Sequence, residues 1–147
     1  MSRMTAVLML AIAGASFSPQ EPPKKPQPSD PAARQEAFMA GVKAGDISKA
    51  YDDLLKGGRI GEKEEMVDKL KDQTRAGVKL YSGVVGWENL GIVRQEKHQA
   101  FGIALLCCKD VPVYFYFVWY RSEEGAPWAL INIWFSDQSK DYWMLRN

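Results

Sequence analysis

Hydrophobic and polar positions divide this chain into four regimes. The first is an uninterrupted apolar run, Ala6-Val7-Leu8-Met9-Leu10-Ala11-Ile12-Ala13, behind a single positive charge at Arg3. It ends on Ala13-Gly14-Ala15, a small-x-small pattern followed by Ser16. Charge, apolar run and small residues in that order predict a secretory signal peptide over residues 1–15. The run is well short of the ~20 apolar residues that a membrane-crossing helix needs. The second regime, residues 16–30, is polar and rich in proline (PQEPPKKPQPSD at its end). Proline removes backbone donors and fixes φ, so this stretch predicts an extended linker rather than helix or sheet.

The third regime has helical periodicity. Asp30-Pro31 predicts a helix start, with Asp30 as the cap and Pro31 in the first turn, and Gly45 as the stop. From Asp46, residues Ile47, Ala50, Tyr51, Leu54 and Leu55 recur at the spacing of one helix face, until Gly57-Gly58. A third helix fits residues 62–82. Its apolar stripe runs through Met66, Leu70, Gln73, Gly77 and Tyr81, flanked by Val67, Thr74 and Val78; Glu64, Glu65, Asp68, Lys71, Asp72, Arg75 and Lys79 form the solvated face.

After Gly83 and Gly86 the period changes to two, the fourth regime. Strands are predicted at residues 88–95, 99–108, 113–121 and 129–136, with hairpin connections at Lys109-Asp110 and Glu123-Glu124-Gly125-Ala126-Pro127. The third of these is apolar or aromatic on both faces: Val113, Phe115, Phe117 and Trp119 on one, Tyr114, Tyr116, Val118 and Tyr120 on the other. Simple alternation in the fourth places Ala129, Ile131, Ile133 and Phe135 on one face. It places Trp128, Leu130, Asn132 and Trp134 on the other.

Helices followed by a four-stranded antiparallel meander predict a single α+β domain over residues 31–147, with N-terminal helices on one face of a curved sheet. This order resembles the nuclear transport factor 2-like superfamily, within the cystatin-like architecture. The resemblance is carried by Gly45-Asp46-Ile47 with Ala50-Tyr51, the break at residues 83–87, the aromatic strand 114–120, and the closing Trp128-Ala129-Leu130-Ile131-Asn132-Ile133. It implies a cavity between helices and sheet. Tyr51, Tyr81, Tyr114, Tyr116, Asn132, Glu88 and Arg94 are the polar residues available to such a cavity.

Composition narrows the chemistry. Lys plus Arg number 19 and Asp plus Glu 18, and cleavage after Ala15 removes Arg3. A balanced chain carries no electrostatic footprint for nucleic acid or an anionic membrane surface. His98 is the one histidine in the sequence, beside Lys97 near a turn, and no Cys/His spacing suits zinc. There is no P-loop, no G-x-G-x-x-G and no G-x-S-x-G, so no cofactor is expected. Cys107 and Cys108 are adjacent. Neighbouring Cα atoms lie ~3.8 Å apart, below the usual disulfide window, so two small buried hydrophobes are expected.

The reading that follows is an exported, non-catalytic domain, secreted or periplasmic. It binds a small ligand or protein partner through an aromatic sheet face or cavity. Tyr51, Tyr114, Tyr116, Trp119, Trp128, Asn132 and Trp134 are the candidate contact residues, and a homodimer through the sheet is the expected partner state. No nucleic acid, metal or stable membrane anchor is expected. One alternative is an enzyme with a Tyr/carboxylate acid–base pair in the helix–sheet cavity. Another is a cystatin-type protease inhibitor, in which Ser82-Gly83-Val84-Val85-Gly86 and Pro127-Trp128 act as neighbouring loops.

Overall fold

The computed structural model describes residues 30–146; the signal peptide and nearly all of the linker expected from the sequence lie outside them. Helices α1 (Pro31–Ala44), α2 (Ile47–Leu55) and α3 (Glu64–Leu80) come first. Strands β1 (Val84–Gln95), β2 (Gln99–Cys108), β3 (Pro112–Tyr120) and β4 (Ala129–Ser136) follow, and α4 (Ser139–Arg146) closes the chain. The strands pair in chain order as an antiparallel meander. The architecture is therefore α+β, as the change of period predicts. No helix among the described residues is long and apolar enough to cross a membrane.

Pro31 opens α1, where its missing N–H costs nothing. Asp30 does not cap with its side chain; its carbonyl instead accepts from Arg34 N at 3.1 Å. Gly45 ends α1 at φ 86°. Gly45 N donates to Val42 O and Asp46 N to Gly41 O, the paired bonds of a Schellman turn. That turn swings α2 back against α1. A Cβ on Gly41 would lie 2.9 Å from Ala50 Cβ, so the two helices approach as closely as glycine permits. The α2 face predicted from the sequence is the buried one: Ile47, Ala50, Tyr51, Leu54 and Leu55.

The stripe of α3 is rotated from the expected one. Val67 and Thr74 are the buried positions, with Leu70, Val78 and Tyr81 packed beside them, while Met66 is 45% exposed. Gln73 faces outward. Beyond α3, Ser82 and Gly83 both take positive φ and redirect the chain into β1, which starts at Val84 rather than at residue 88.

One face of the sheet meets the helices. Phe38 of α1 packs edge-on against Tyr51, Phe115 and Phe117, with ring centroids 4.9–5.9 Å apart. A buried polar clamp fixes α1 to this face. Gln35 Nε2 donates to Asn89 Oδ1 at 3.1 Å, and its Oε1 accepts from Trp119 Nε1 at 3.1 Å. Asn89 Nδ2 in turn donates to Ala32 O at 2.9 Å. Gln35 and Trp119 are fully buried, so the mutual satisfaction of their polar groups is what permits that burial.

The face assignment of β4 needs correction. Val118 pairs with Asn132 and Trp119 with Leu130, which leaves Ile131 as an extra residue in a bulge. The bulge resets the alternation, so Leu130 joins Ile133 and Phe135 in packing against the helix-side core. Ile131 turns outward, 46% exposed.

Both cysteines are free. Burial pushes the Cys108 thiol above its ordinary value, and Cys107 and Asp110 add to the effect. That disfavours the reactive thiolate.

Candidate functional site

The candidate residues divide between two sides of the sheet. Tyr51 and Trp119 belong to the helix-side core and are fully buried. Thr74 Oγ1 donates to Leu70 O, so the 2.8 Å contact with Tyr51 uses the phenol as donor. Burial pushes the Tyr51 phenol up to about 12. The clamp holds the Trp119 indole N–H, and the Arg34 guanidinium lies 4.8 Å over its ring. Arg34 also donates to Trp128 O at 2.9 Å and to Leu54 O at the end of α2. Trp128 lies before β4, with Arg121 4.4 Å over its ring. These residues hold elements together.

Tyr114, Tyr116, Asn132 and Trp134 occupy the opposite face. Tyr116 and Trp134 are cross-strand partners, stacked at 5.0 Å and 15°. Tyr114 stacks at 6.5 Å on Tyr116 and at 5.7 Å on Tyr142 of α4. The final helix thus folds back over the aromatic row. Tyr116 is fully buried, Tyr114 and Trp134 half-buried, and Asn132 exposed.

Glu88 and Arg94 are both exposed, and Arg94 binds Glu96 rather than anything in a cavity. His98 is an exposed turn residue, its Nδ1 3.2 Å from Arg121 O. Among the described residues, no group of three His, Cys, Asp or Glu is placed to hold a metal ion. The two loops of the inhibitor reading lie at opposite ends of the sheet. Val84 pairs with Cys108 at one end, and Trp128 precedes the Ala129–Tyr120 pair at the other. They cannot form one inserting edge.

The structure brings together a different set of residues. A groove of about 580 Å³ runs between α3 and β4. Leu70, Gln73, Ala76, Gly77, Leu80 and Tyr81 form its helical wall. Residues 133–137 form the other wall, and Val113 lies between them. Trp134 belongs both to this groove and to the aromatic stack, so the groove adjoins the outer face. At one end Tyr81 donates to Asp137 Oδ2 at 2.8 Å. That acceptor carboxylate holds the Tyr81 phenol above its ordinary range, with desolvation adding to it. Of these residues only Tyr81, Asn132's neighbour Trp134, and the α3 stripe were legible beforehand. Asp137 lies 56 positions from Tyr81, and no spacing announces that contact. Comparison with protein-family models, with curated proteins and with solved structures finds no match for this chain.

Proposed function

We propose that this chain is an exported, non-catalytic binding domain that holds an apolar ligand or partner segment in the groove between α3 and β4. The observation that carries the reading is the groove itself. Its volume of about 580 Å³ falls within the ~300–1,000 Å³ of ordinary ligand sites. Its walls are mainly Leu70, Leu80, Ile133, Trp134 and Phe135, with Gln73, Tyr81, Ser136 and Asp137 supplying a few polar groups. Mostly apolar walls with sparse polar anchors are the usual composition of a binding site.

Export rests on the charge, apolar run and small-residue order of residues 1–15. The sequence of three helices and a meander supports placing the domain among the nuclear transport factor 2-like folds. One observation favours the enzyme reading: Tyr81 and Asp137 are a tyrosine–carboxylate pair at the mouth of a groove. A phenol held above its ordinary range stays protonated at neutral pH, and this one already spends its proton on Asp137. It acts as an anchor more readily than as a base, so binding takes precedence.

The test uses Nile red, a neutral dye that brightens in apolar sites. Ala76 is exposed on the groove's helical wall, so Ala76→Trp fills the space without touching the core. We expect the dye to bind the parent and to bind Ala76→Trp at least tenfold more weakly, at unchanged melting temperature. Equal binding to both removes the groove as the site.

A further inference from the structure

The way the groove follows β4 identifies the class of its occupant. Side chains along a strand alternate between its two faces. A cavity resting on one face would therefore touch every second residue. This groove touches residues 133, 134, 135, 136 and 137 in succession, so from the helix-side face, where Val113, Ile133 and Phe135 lie, it reaches the strand's edge. β4 is an edge strand, paired on one side with β3. Among the described residues, no backbone hydrogen bond from a turn, loop or cap is added to the β3 ladder at residues 133–137.

The two edges of the sheet are built differently. β1 is interrupted by register shifts and carries the charges of Glu88 and Arg94, devices that discourage pairing. β4, with sequence ALINIWFS, carries neither charge nor proline, and its one bulge, at Ile131, lies in its first half. Its first half is shielded: a Cβ on Gly58 would lie 3.0 Å from Leu130 O, so the loop after α2 sits against it. The half beside the groove has no such cover.

We infer that the groove accepts an extended peptide segment as a fifth strand, antiparallel to β4, with a positive charge at its amino end. The inference rests on the groove's being the binding site. Outward N–H and C=O groups along a strand edge are matched by another strand at ~4.8 Å. α3 then forms the opposite wall, as in the strand-addition mode of peptide capture. The lengths are comparable: α3 rises about 15 Å from Leu70 to Leu80, and the four steps from residue 133 to residue 137 span about 13 Å. Ala76 and Gly77 keep the helical wall low midway, where the Phe135 ring comes within van der Waals reach of Gly77.

Direction follows from charge. Asp137 is the one charged residue among those lining the groove, and it stands at the carboxyl end of β4. An antiparallel segment brings its amino end to that carboxylate, whereas a parallel one would bring its carboxyl end. Attraction in the first case and repulsion in the second select the antiparallel entry.

The test pans the full chain against displayed random heptapeptides with free amino termini. We expect enrichment of peptides with alternating apolar residues, measured afterwards by fluorescence anisotropy as synthetic peptides. N-methylation of one alternate set of backbone amides should weaken binding at least tenfold, and of the other set hardly at all. Acetylating the amino terminus, or Asp137→Asn, should each weaken it by about two- to fivefold, as an exposed charge pair would. The two changes together should cost no more than either alone. Enriched peptides indifferent to both methylation patterns overturn the strand geometry. No enrichment, with Nile red still bound by the parent and rejected by Ala76→Trp, overturns the peptide but leaves the groove. Loss of both results removes the groove and the peptide together.

Discussion

Gly102 is a point of close approach between α1 and the sheet. A Cβ there would lie 1.7 Å from Gln35 Oε1 and 2.6 Å from its Cδ. Gln35 cannot step aside cheaply, because Asn89 and Trp119 hold both ends of its amide. Gly102→Ala therefore either breaks those bonds or pushes α1 off the sheet. We expect a loss of about 2–4 kcal/mol, combining overpacking with buried polar groups left unmet. Gln35→Ala makes the space and forfeits the bonds, so the double variant should be no less stable than Gly102→Ala alone. Urea unfolding of the three proteins checks this; additive losses would show that the two residues do not meet. Tyr51 gives a second residue-scale test, through pH. Its folded-state value of about 12 lies above the ordinary 10. The unfolded chain therefore releases this proton first as pH rises. The stabilisation is complete below pH 10 and is lost between 10 and 12, by about 2–3 kcal/mol in all. Tyr51→Phe lacks this titration. Across that window the parent should lose stability faster than the variant, by urea midpoints at successive pH values. Parallel slopes would mean that the phenol is not shielded from water.

At the scale of elements, local chemistry decided what the sequence could reveal. β2 and β4 occur at residues 99–108 and 129–136, as predicted, because strong alternation is bounded by turn residues. α2 shows the predicted face because Gly45 and Gly57 isolate one clean amphipathic turn pattern. β1 begins four residues early because Gly83 and Gly86 read as breakers, while the strand's own pairing to β2 overrides them. The faces of β4 depart from simple alternation for a different reason. A bulge is a property of two paired strands, and nothing in ALINIWFS alone marks Ile131 as the extra residue. The rotation of α3 has a similar origin. Met66 and Val67 are both apolar, and only packing chooses Val67. The groove was beyond reach because it needs α3 and β4 side by side. Its second wall is five consecutive residues, four of β4 and Asp137 just beyond it, a pattern that alternation between faces does not mark.

For the whole molecule, the open question is what covers the sheet's second face. Helices α1–α3 occupy only the first, and the sequence led to the expectation that a second copy takes the other. In the structure α4 packs back over part of it, with Tyr142 stacked on Tyr114 beside the buried Tyr116. Trp143 and Met144 project outward from the same helix, 56% and 76% exposed. If α4 is the cover, removing it bares the Tyr114–Tyr116–Trp134 row. A bare aromatic row of that kind exceeds what a monomer usually exposes and matches the composition of interface cores. We expect the chain ending at Gln138 to associate at micromolar concentration, while the full-length chain stays monomeric by light scattering. Tyr116→Lys in the shortened chain should restore the monomer, since a charge in the row makes pairing unfavourable. A full-length chain that is already dimeric, and that Trp134→Lys splits, would mean that the second copy and not α4 is the principal cover. In that case the groove beside Trp134 would open at a subunit boundary.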